Sequence, residues 1–283
     1  MLVTTKEMLR DAFERRYAVA AINTQGGTYD IIRAICMAAE ELRAPVILAH
    51  YMKTGAYSGH DWFVETAKWM ANKVSVPVAI HMDHGETVAD CEEMMKLGFT
   101  SIMYDGSALS IEENAKNTNE VIRFCHANGI PVEAEIGEIG RLNADGVNMD
   151  ASNIADPETV REFLSLCTPD SLAIGIGNAH GFYKGKPDIH LEVLEAVRKF
   201  SEIPFVLHGC TGMNDSMIHD AISMGVAKIN FGTQVRHNYM NYLREGCSMD
   251  FQDHAWRLSQ YAEGKLRQDI KEIICLSGSD RKA

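Results

Sequence analysis

The chain has 283 residues, 46% of them hydrophobic, and a formal net charge of −12 that argues against nucleic acid as the main partner, because phosphate backbones bind basic surfaces. An acidic protein can still bind a phosphorylated small molecule where the site itself supplies positive potential, so this substrate class stays open. No apolar run reaches the about 20 residues of a membrane-spanning helix, and seven scattered cysteines without a C-x-x-C pair indicate a reducing compartment, so we expect a cytoplasmic protein that does not bind a membrane.

Short apolar runs alternate along the chain with longer runs of helical period. In chain order, the predicted strands are 18–23, 45–49, 77–83, 101–105, 131–137, 171–177, 204–209 and 227–233. The predicted helices between and after them are 29–42, 61–73, 88–97, 111–127, 157–166, 191–200, 215–224 and a helical tail over 234–276. The strands are nearly continuous apolar runs, which is typical of parallel strands covered on both faces.

Eight successive β-then-α units predict an α/β fold, a single (β/α)8 TIM barrel with a C-terminal helical extension, and one domain over residues 1–283. A doubly wound open sheet is the alternative. It is disfavoured because the glycine-rich run 175–181 has His180 where the third glycine of G-x-G-x-x-G should stand. A long polar connection, 141–156, follows the fifth strand, and either a functional lid or a surface insertion would fit it.

Polar side chains collect at the carboxyl ends of these strands, where the active site of a (β/α)8 barrel lies. Burying them without partners would cost several kcal/mol, so we expect a metal or a substrate to satisfy them. They are Asn23, His81, Asp83, His84, Asp105, Glu133, Glu135, Asn178, His180, His208, Asn230 and Thr233.

Three of the strand-end histidines, His84, His180 and His208, stand at the ends of the third, sixth and seventh predicted strands and together suit Zn²⁺ with its fourth position open for substrate. For any one of them, a structural role is the alternative. The remaining histidines are expected on helices or loops without a catalytic role, for example His60, His126, His219 and His254.

Three runs carry a family resemblance: H-M-D-H-G (81–85), N-A-H-G-F-Y-K (178–184) and L-H-G-C-T-G (207–212). They resemble the class II, metal-dependent fructose- and tagatose-bisphosphate aldolases, and the similarity extends from A-I-N (21–23) to K-I-N-F-G-T (228–233). The resemblance implies an enzyme of carbohydrate metabolism that reversibly cleaves a ketose 1-phosphate or ketose 1,6-bisphosphate. The products would be dihydroxyacetone phosphate and an aldehyde, formed through a metal-stabilised enediolate.

The resemblance also implies roles for individual residues. His84, His180 and His208 match the zinc ligands, and Asp83 matches the catalytic acid/base. Carboxylates near the metal are matched by Asp105 and Glu135. The site for dihydroxyacetone phosphate is matched by Asn23, Gly181, Lys184, Gly209, Thr211, Asn230 and Thr233. A monovalent cation, K⁺ or Na⁺, is implied near the phosphate, and a homodimer or homotetramer is implied as the assembly.

Several positions depart from the family pattern. Bisphosphate-cleaving members have a glycine pair followed by acidic residues where this chain has the run 141–144. Asn143 therefore replaces the mobile-loop glutamate that moves the proton on the ketone carbon, and Asp145 or Asp150 are candidate substitutes. The run 250–252 lacks the arginine that binds the second phosphate of a bisphosphate substrate in many members of the family. Arg257 and Arg267 are candidates to replace it. Gly232 replaces an aspartate, as a small residue does in tagatose-type members, and Tyr51 replaces a small hydroxyl residue. We therefore expect dihydroxyacetone phosphate as the donor and an aldehyde other than glyceraldehyde 3-phosphate.

Three other functions remain as alternatives. One is a tagatose-1,6-bisphosphate aldolase proper. A metal-dependent barrel hydrolase is disfavoured because the first strand has no H-x-H pair and reads Ala20-Ala21-Ile22-Asn23. A non-catalytic sugar-phosphate-binding subunit is disfavoured because the three histidines and Asp83 are all retained.

Overall fold

The computed structural model describes residues 1–141, 154–251 and 254–283. Its strands are β1 (Val19–Asn23), β2 (Val46–Tyr51), β3 (Val78–Gly85), β4 (Ser101–Tyr104), β5 (Val132–Ile136), β6 (Gly140–Arg141), β7 (Ser171–Ile174), β8 (Ala179–His180), β9 (Phe205–Leu207) and β10 (Val226–Phe231). Its helices are α1 (Thr5–Arg15), α2 (Tyr29–Leu42), α3 (Met52–Gly55), α4 (His60–Ala71), α5 (Val88–Leu97), α6 (Ile111–Ala127), α7 (Pro157–Leu166), α8 (Leu191–Arg198), α9 (Asp215–Ser223), α10 (Thr233–Cys247) and α11 (Ala255–Ser277).

A closed parallel barrel forms from eight of the strands, in the order β1, β10, β9, β7, β5, β4, β3, β2. The first strand closes it by pairing on both sides, with Ala21 opposite Ile47 of β2 and Asn230 of β10. This confirms the predicted (β/α)8 barrel. The two remaining strands, β6 and β8, are two residues long and pair with each other in parallel outside the barrel sheet.

Alternation along each strand divides its side chains between two cores. On β1, Ala20 and Ile22 pack outward in the core that includes the surrounding helices, whereas Val19 and Ala21 pack inside the barrel. On β3, Ala79 belongs to the inner core. The period of two therefore directs His81 and Asp83 into the barrel as well, one step apart along its axis.

Helix α1, which was not among the predicted helices, covers the amino-terminal end of the barrel. Its Met8, Leu9 and Ala12 pack in the inner core, and Val3 just before it donates a backbone hydrogen bond to the first residue of β3. This end lies opposite the carboxyl ends of the strands, so the site residues at those ends stay accessible.

The predicted helix bounds agree with α2, α5, α6 and α7 and are within two residues for α4, α8 and α9. Helix α5 begins at a capping box, in which the side chains of Thr87 and Asp90 accept hydrogen bonds from each other's backbone N–H. The predicted tail over 234–276 is two helices, α10 and α11, which end and begin at Cys247 and Ala255. None of the described helices is both long and apolar enough to cross a membrane.

Candidate active site

A bulge near the end of β3 brings two consecutive side chains to one pocket. Met82 pairs with Ile102 and Gly85 with Tyr104, so two residues of β3 lie opposite one residue of β4. Within the bulge His84 has a φ of 56°, a left-handed conformation that costs a non-glycine residue about 1–3 kcal/mol. Because of this turn both Asp83 and His84 line the pocket, where regular alternation would have pointed them to opposite faces.

The structure brings His84, His180 and His208 together. The ring centroid of His84 lies 5.1 Å from that of His180 and 4.8 Å from that of His208, and the last two are 5.9 Å apart. One ring nitrogen from each residue lies within 4.8 Å of the other two. His180 lies on the short strand β8, six residues after the end of β7, so it does not extend directly from the sixth barrel strand as the sequence suggested.

Carboxylates orient two of the imidazoles. Nδ1 of His84 lies 2.8 Å from Oδ2 of Asp105, and Nε2 of His208 lies 3.0 Å from Oε1 of Glu133. Since an ionised carboxylate only accepts hydrogen bonds, these nitrogens carry hydrogens, which leaves Nε2 of His84 and Nδ1 of His208 as the nitrogens that could bind a cation. Nε2 of His84 is buried there without a hydrogen-bond partner among the described residues. An orphaned buried nitrogen beside two other imidazoles fits a divalent cation such as Zn²⁺.

Glu135 is the other predicted carboxylate near this point. Its Oε2 lies 3.7 Å from Nδ1 of His84, and its Oε1 accepts a 3.3 Å hydrogen bond from the backbone N–H of Ile139. With His84 and Asp105 it forms a second cluster whose ligand atoms lie within 4.8 Å of one another. Burial, followed by the charge of Asp105, raises the pKa of Glu135 to about 8.

Asp83 is buried beside the cluster and lines the pocket. Burial alone would raise its pKa, but the neighbouring His84 and His208 outweigh burial and lower it. The side chain is therefore a carboxylate at neutral pH and can accept a proton. Its Oδ1 accepts a 3.2 Å hydrogen bond from Nδ2 of Asn230, which fixes the orientation of the carboxylate.

The pKa values of His84 and His208 shift in opposite directions. Burial favours neutral His84, yet the hydrogen bond with Asp105 and the charges of Asp83 and Glu135 raise its pKa to about 9. Burial and then the positive charge of Lys228 lower the pKa of His208. A cation at this point would therefore displace a proton from His84 and meet His208 already neutral.

Six of the seven predicted phosphate-site residues line the same pocket. They are Asn23, Gly181, Gly209, Thr211, Asn230 and Thr233. Gly209 has a φ of 67°, and a β-carbon there would lie 2.4 Å from the carbonyl oxygen of Ala179, so the loop after β9 packs directly on β8. Lys184, the seventh residue, is exposed and is not one of the lining residues.

The pocket is also lined by Gln25, Thr54 and Arg236, none of which was predicted from the sequence. Arg236 lies on the first turn of α10, three residues after Thr233, and its backbone N–H donates to the carbonyl of Gly232. Its guanidinium makes no hydrogen bond or ion pair with any described residue. It is the one lysine or arginine among the lining residues that the structure describes. Its position after the last barrel strand, where phosphate sites of this fold lie, is a signal that could have identified it.

The departures from the family pattern fall partly outside the described residues. Four of the residues concerned lie outside the described part of the chain: Asn143, Asp145, Asp150 and Gln252. Arg267 does not contact the pocket, because its guanidinium binds Glu263 and Glu41 on the outside of the barrel.

Three other departures lie within the described residues. Arg257 is not a lining residue. Tyr51 does line the pocket, with its ring edge-on to His84 at 6.2 Å, and Gly232 lines it beside Asn23.

The remaining named histidines lie where they were expected. His60, His126 and His219 are on α4, α6 and α9, and His254 caps α11. His50, by contrast, is on β2, where it packs on Phe63 with ring centroids 4.0 Å apart.

Comparison with known proteins gives a consistent result. Residues 3–282 match the family described as fructose-bisphosphate aldolase class-II. The uncharacterized protein YdjI of Escherichia coli K12 is 34% identical over the full length of both chains. A fructose-bisphosphate aldolase of Geobacillus stearothermophilus is 37% identical over 252 residues, which is 88% of this chain and 87% of that protein.

Solved structures agree with these relatives. The crystal structure of the YdjI aldolase from Escherichia coli K12 superposes with a TM-score of 0.86 at 32% identity and full coverage of both chains. A putative fructose-1,6-bisphosphate aldolase from Coccidioides immitis gives a TM-score of 0.86 at 29% identity, covering 98% of this chain and 96% of that one.

Proposed function

From the premise that this chain belongs to the class II fructose-bisphosphate aldolase family, we propose that it reversibly cleaves a phosphorylated ketose to dihydroxyacetone phosphate and an aldehyde. The substrate class is a ketose 1-phosphate or a ketose 1,6-bisphosphate. The observation that carries the proposal is the convergence of His84, His180 and His208 beside the carboxylate of Asp83, in a pocket lined by the loops after β9 and β10.

The three imidazoles would hold a divalent cation, which we propose to be Zn²⁺. When bound, this cation supplies a Lewis acid that draws electron density from the ketone. Asp83 accepts the proton of the hydroxyl group on the carbon that becomes the aldehyde. The C–C bond then breaks, its electron pair stays with the ketone fragment, and the hydroxyl carbon leaves as the aldehyde. The ketone fragment takes up a proton from water at the same carbon and leaves as dihydroxyacetone phosphate, and Asp83 releases its proton to solvent. In condensation Asp83 returns the proton.

The phosphate would lie between the loops after β8, β9 and β10. Gly181 and Gly209 have positive φ values of 130° and 67°, and backbone N–H groups of such loops can approach a phosphate closely. The amino terminus of α10 at Thr233 faces the same pocket and favours an anion. A monovalent cation, K⁺ or Na⁺, beside the phosphate is part of the proposal.

Arg236 would add the positive charge at this end of the pocket. We expect Arg236→Gln to raise the KM for a ketose 1-phosphate about 10- to 100-fold, since a hydrogen bond to a charged group contributes about 1.5–3 kcal/mol. Steady-state kinetics measure the change. Arg244→Gln is the matched control, because Arg244 is exposed on the same helix and bonds Asn241. Equal KM values in the wild type and Arg236→Gln would remove Arg236 from the phosphate site.

The lining residues outside the proposed metal and phosphate sites include Gln25, Tyr51 and Thr54, which are uncharged. With Arg236 at the first phosphate, no second lysine or arginine among the described lining residues remains for a second one. This supports an aldehyde other than glyceraldehyde 3-phosphate as the second product.

A cleavage screen tests this choice of substrate. Ketose 1-phosphates of differing length and configuration are compared with fructose and tagatose 1,6-bisphosphates, and released dihydroxyacetone phosphate is measured. We expect the highest kcat/KM for a ketose 1-phosphate. Far faster cleavage of either 1,6-bisphosphate would contradict the expectation and favour the activity named for the Geobacillus stearothermophilus relative or its tagatose counterpart.

A further inference from the structure

A buried ion pair lies inside the barrel, beneath the three histidines. Lys228 of β10 and Glu133 of β5 are 0% and 2% exposed, and Nζ of Lys228 lies 2.9 Å from each carboxylate oxygen of Glu133. The residues are 95 positions apart in sequence and meet only because the barrel closes. Burying two charges is costly and often gives no net stability compared with apolar residues, so stability alone does not explain the pair.

The hydrogen bonds of Lys228 are completely satisfied. Its ammonium group has three donors, and the third meets Nε2 of His81 at 3.2 Å. Because Lys228 can only donate, Nε2 of His81 accepts, and Nδ1 of His81 carries the hydrogen toward Oγ of Ser101 at 2.8 Å. Ser101 in turn accepts from Oγ1 of Thr5 on α1 at 2.9 Å. The carboxylate of Glu133 is therefore held from below by a network anchored at the amino-terminal end of the barrel.

The upper side of Glu133 contacts His208. Oε1 of Glu133 lies 3.0 Å from Nε2 of His208, and both residues are buried. A carboxylate bound to a lysine can only accept from the imidazole, so the hydrogen of His208 is fixed on Nε2. The lone pair is then on Nδ1, which lies 3.2 Å from Nδ2 of the pocket residue Asn230, and a cation bound to Nδ1 would replace this contact.

We propose that Lys228 and Glu133 are a positioning pair that holds His208 in the ring orientation and tautomer needed to bind the divalent cation through Nδ1. The inference rests on the proposed function, because it assumes that His208 is a metal ligand. Hydrogen bonds of this kind to ligating imidazoles typically affect metal affinity by 10- to 100-fold. Lys228 acts indirectly, because it binds both carboxylate oxygens of Glu133 and Glu133 in turn orients His208.

The test is Zn²⁺ binding to metal-depleted protein, measured by competition with a chromophoric chelator. Glu133→Leu/Lys228→Met replaces the pair by apolar side chains of similar size and leaves no unpaired charge. We expect this double variant to fold and to bind Zn²⁺ about 10- to 100-fold more weakly than the wild type. Glu133→Gln/Lys228→Met keeps an amide oxygen that can accept from Nε2 of His208, and should recover most of the affinity.

Two further variants keep the test decisive. Glu133→Asp retains the charge pair but shortens the side chain by one methylene, which withdraws the acceptor from His208, so its Zn²⁺ affinity should also fall. Glu263→Leu/Arg267→Met is the matched control, because it removes an ion pair between a buried glutamate and a partly buried arginine on α11. This control should keep wild-type Zn²⁺ affinity even if its thermal stability changes.

The outcomes separate the two proposals. Wild-type Zn²⁺ affinity in Glu133→Leu/Lys228→Met, or in Glu133→Asp if the double variant does not fold, overturns the positioning role and leaves the proposed aldolase function standing. Weak binding in both, with recovery in Glu133→Gln/Lys228→Met, supports it. A wild-type chain that binds no Zn²⁺ overturns both proposals.

Discussion

Asp83→Asn is expected to lower kcat for ketose phosphate cleavage by about 10³-fold, within the range of about 10²–10⁴ that general acid–base groups contribute. Asparagine has nearly the same shape as aspartate but cannot accept the proton of the substrate hydroxyl. The carboxylate of Asp83 is buried, ionised because neighbouring imidazoles lower its pKa, and oriented by Asn230. Steady-state release of dihydroxyacetone phosphate measures the effect.

Metal content separates a lost proton acceptor from a damaged site. Asp83→Asn should bind the same amount of divalent cation as the wild type, since Asp83 is not one of the three converging ligands. Asp188→Asn is the control, because Asp188 has a side chain that is 97% exposed and lies outside the pocket. A kcat for Asp83→Asn within tenfold of the wild-type value would remove Asp83 from the proton-transfer role.

The second large effect is expected for His84→Ala. This change removes the imidazole whose Nε2 is buried without a partner at the point of convergence, and it leaves Asp105 and Glu135 without their shared neighbour. Loss of a Lewis acid removes several kcal/mol of transition-state stabilisation, so kcat/KM should fall by at least about 10³-fold. Cleavage kinetics at saturating divalent cation measure it.

His219→Ala serves as the matched control for this substitution, because His219 is an exposed histidine on α9 that the pocket does not include. Its kinetics should equal those of the wild type. If His84→Ala kept more than a tenth of the wild-type kcat/KM, His84 would not be a ligand of a catalytic cation.

Local sequence signals were sufficient for most of the barrel. The bounds of α2 and α5 follow from helical period and, for α5, from the caps Thr87 and Gly98. The break between α10 and α11 was missed because apolar residues continue at mixed spacing through the tail, and helix α1 was missed because no strand precedes it.

The site was only partly predictable, for reasons of geometry. Strand alternation would place Asp83 and His84 on opposite faces, and only the bulge in β3 with its positive φ lets both reach the pocket. Lys184 was predicted from its place in the run 178–184, whereas Arg236, which lines the pocket, lies outside every run that carried the resemblance. Which positively charged side chain lines the pocket depends on how separate loops pack, and the spacing of residues in the sequence does not show this.

The contacts of Glu133 with His208 and Lys228 were not predicted from the sequence, because they join residues far apart in the chain. Glu133 was recognised as a strand-end carboxylate, but its partners His208 and Lys228 lie 75 and 95 positions away. Their contact depends on the register of three strands across the closed barrel interior. A lysine within an apolar strand is nonetheless a usable signal, because a buried ammonium group requires a partner.

Carbon–carbon cleavage is proposed to depend on one divalent cation bound by His84, His180 and His208. The most direct measurement is a Zn²⁺ titration of the chelator-treated wild-type chain, with bound metal and cleavage rate recorded in the same samples. We predict no cleavage without metal, and a rate that rises in proportion to occupancy up to one ion per chain. Full cleavage by metal-free protein, or a rate that does not follow bound metal, would contradict the account.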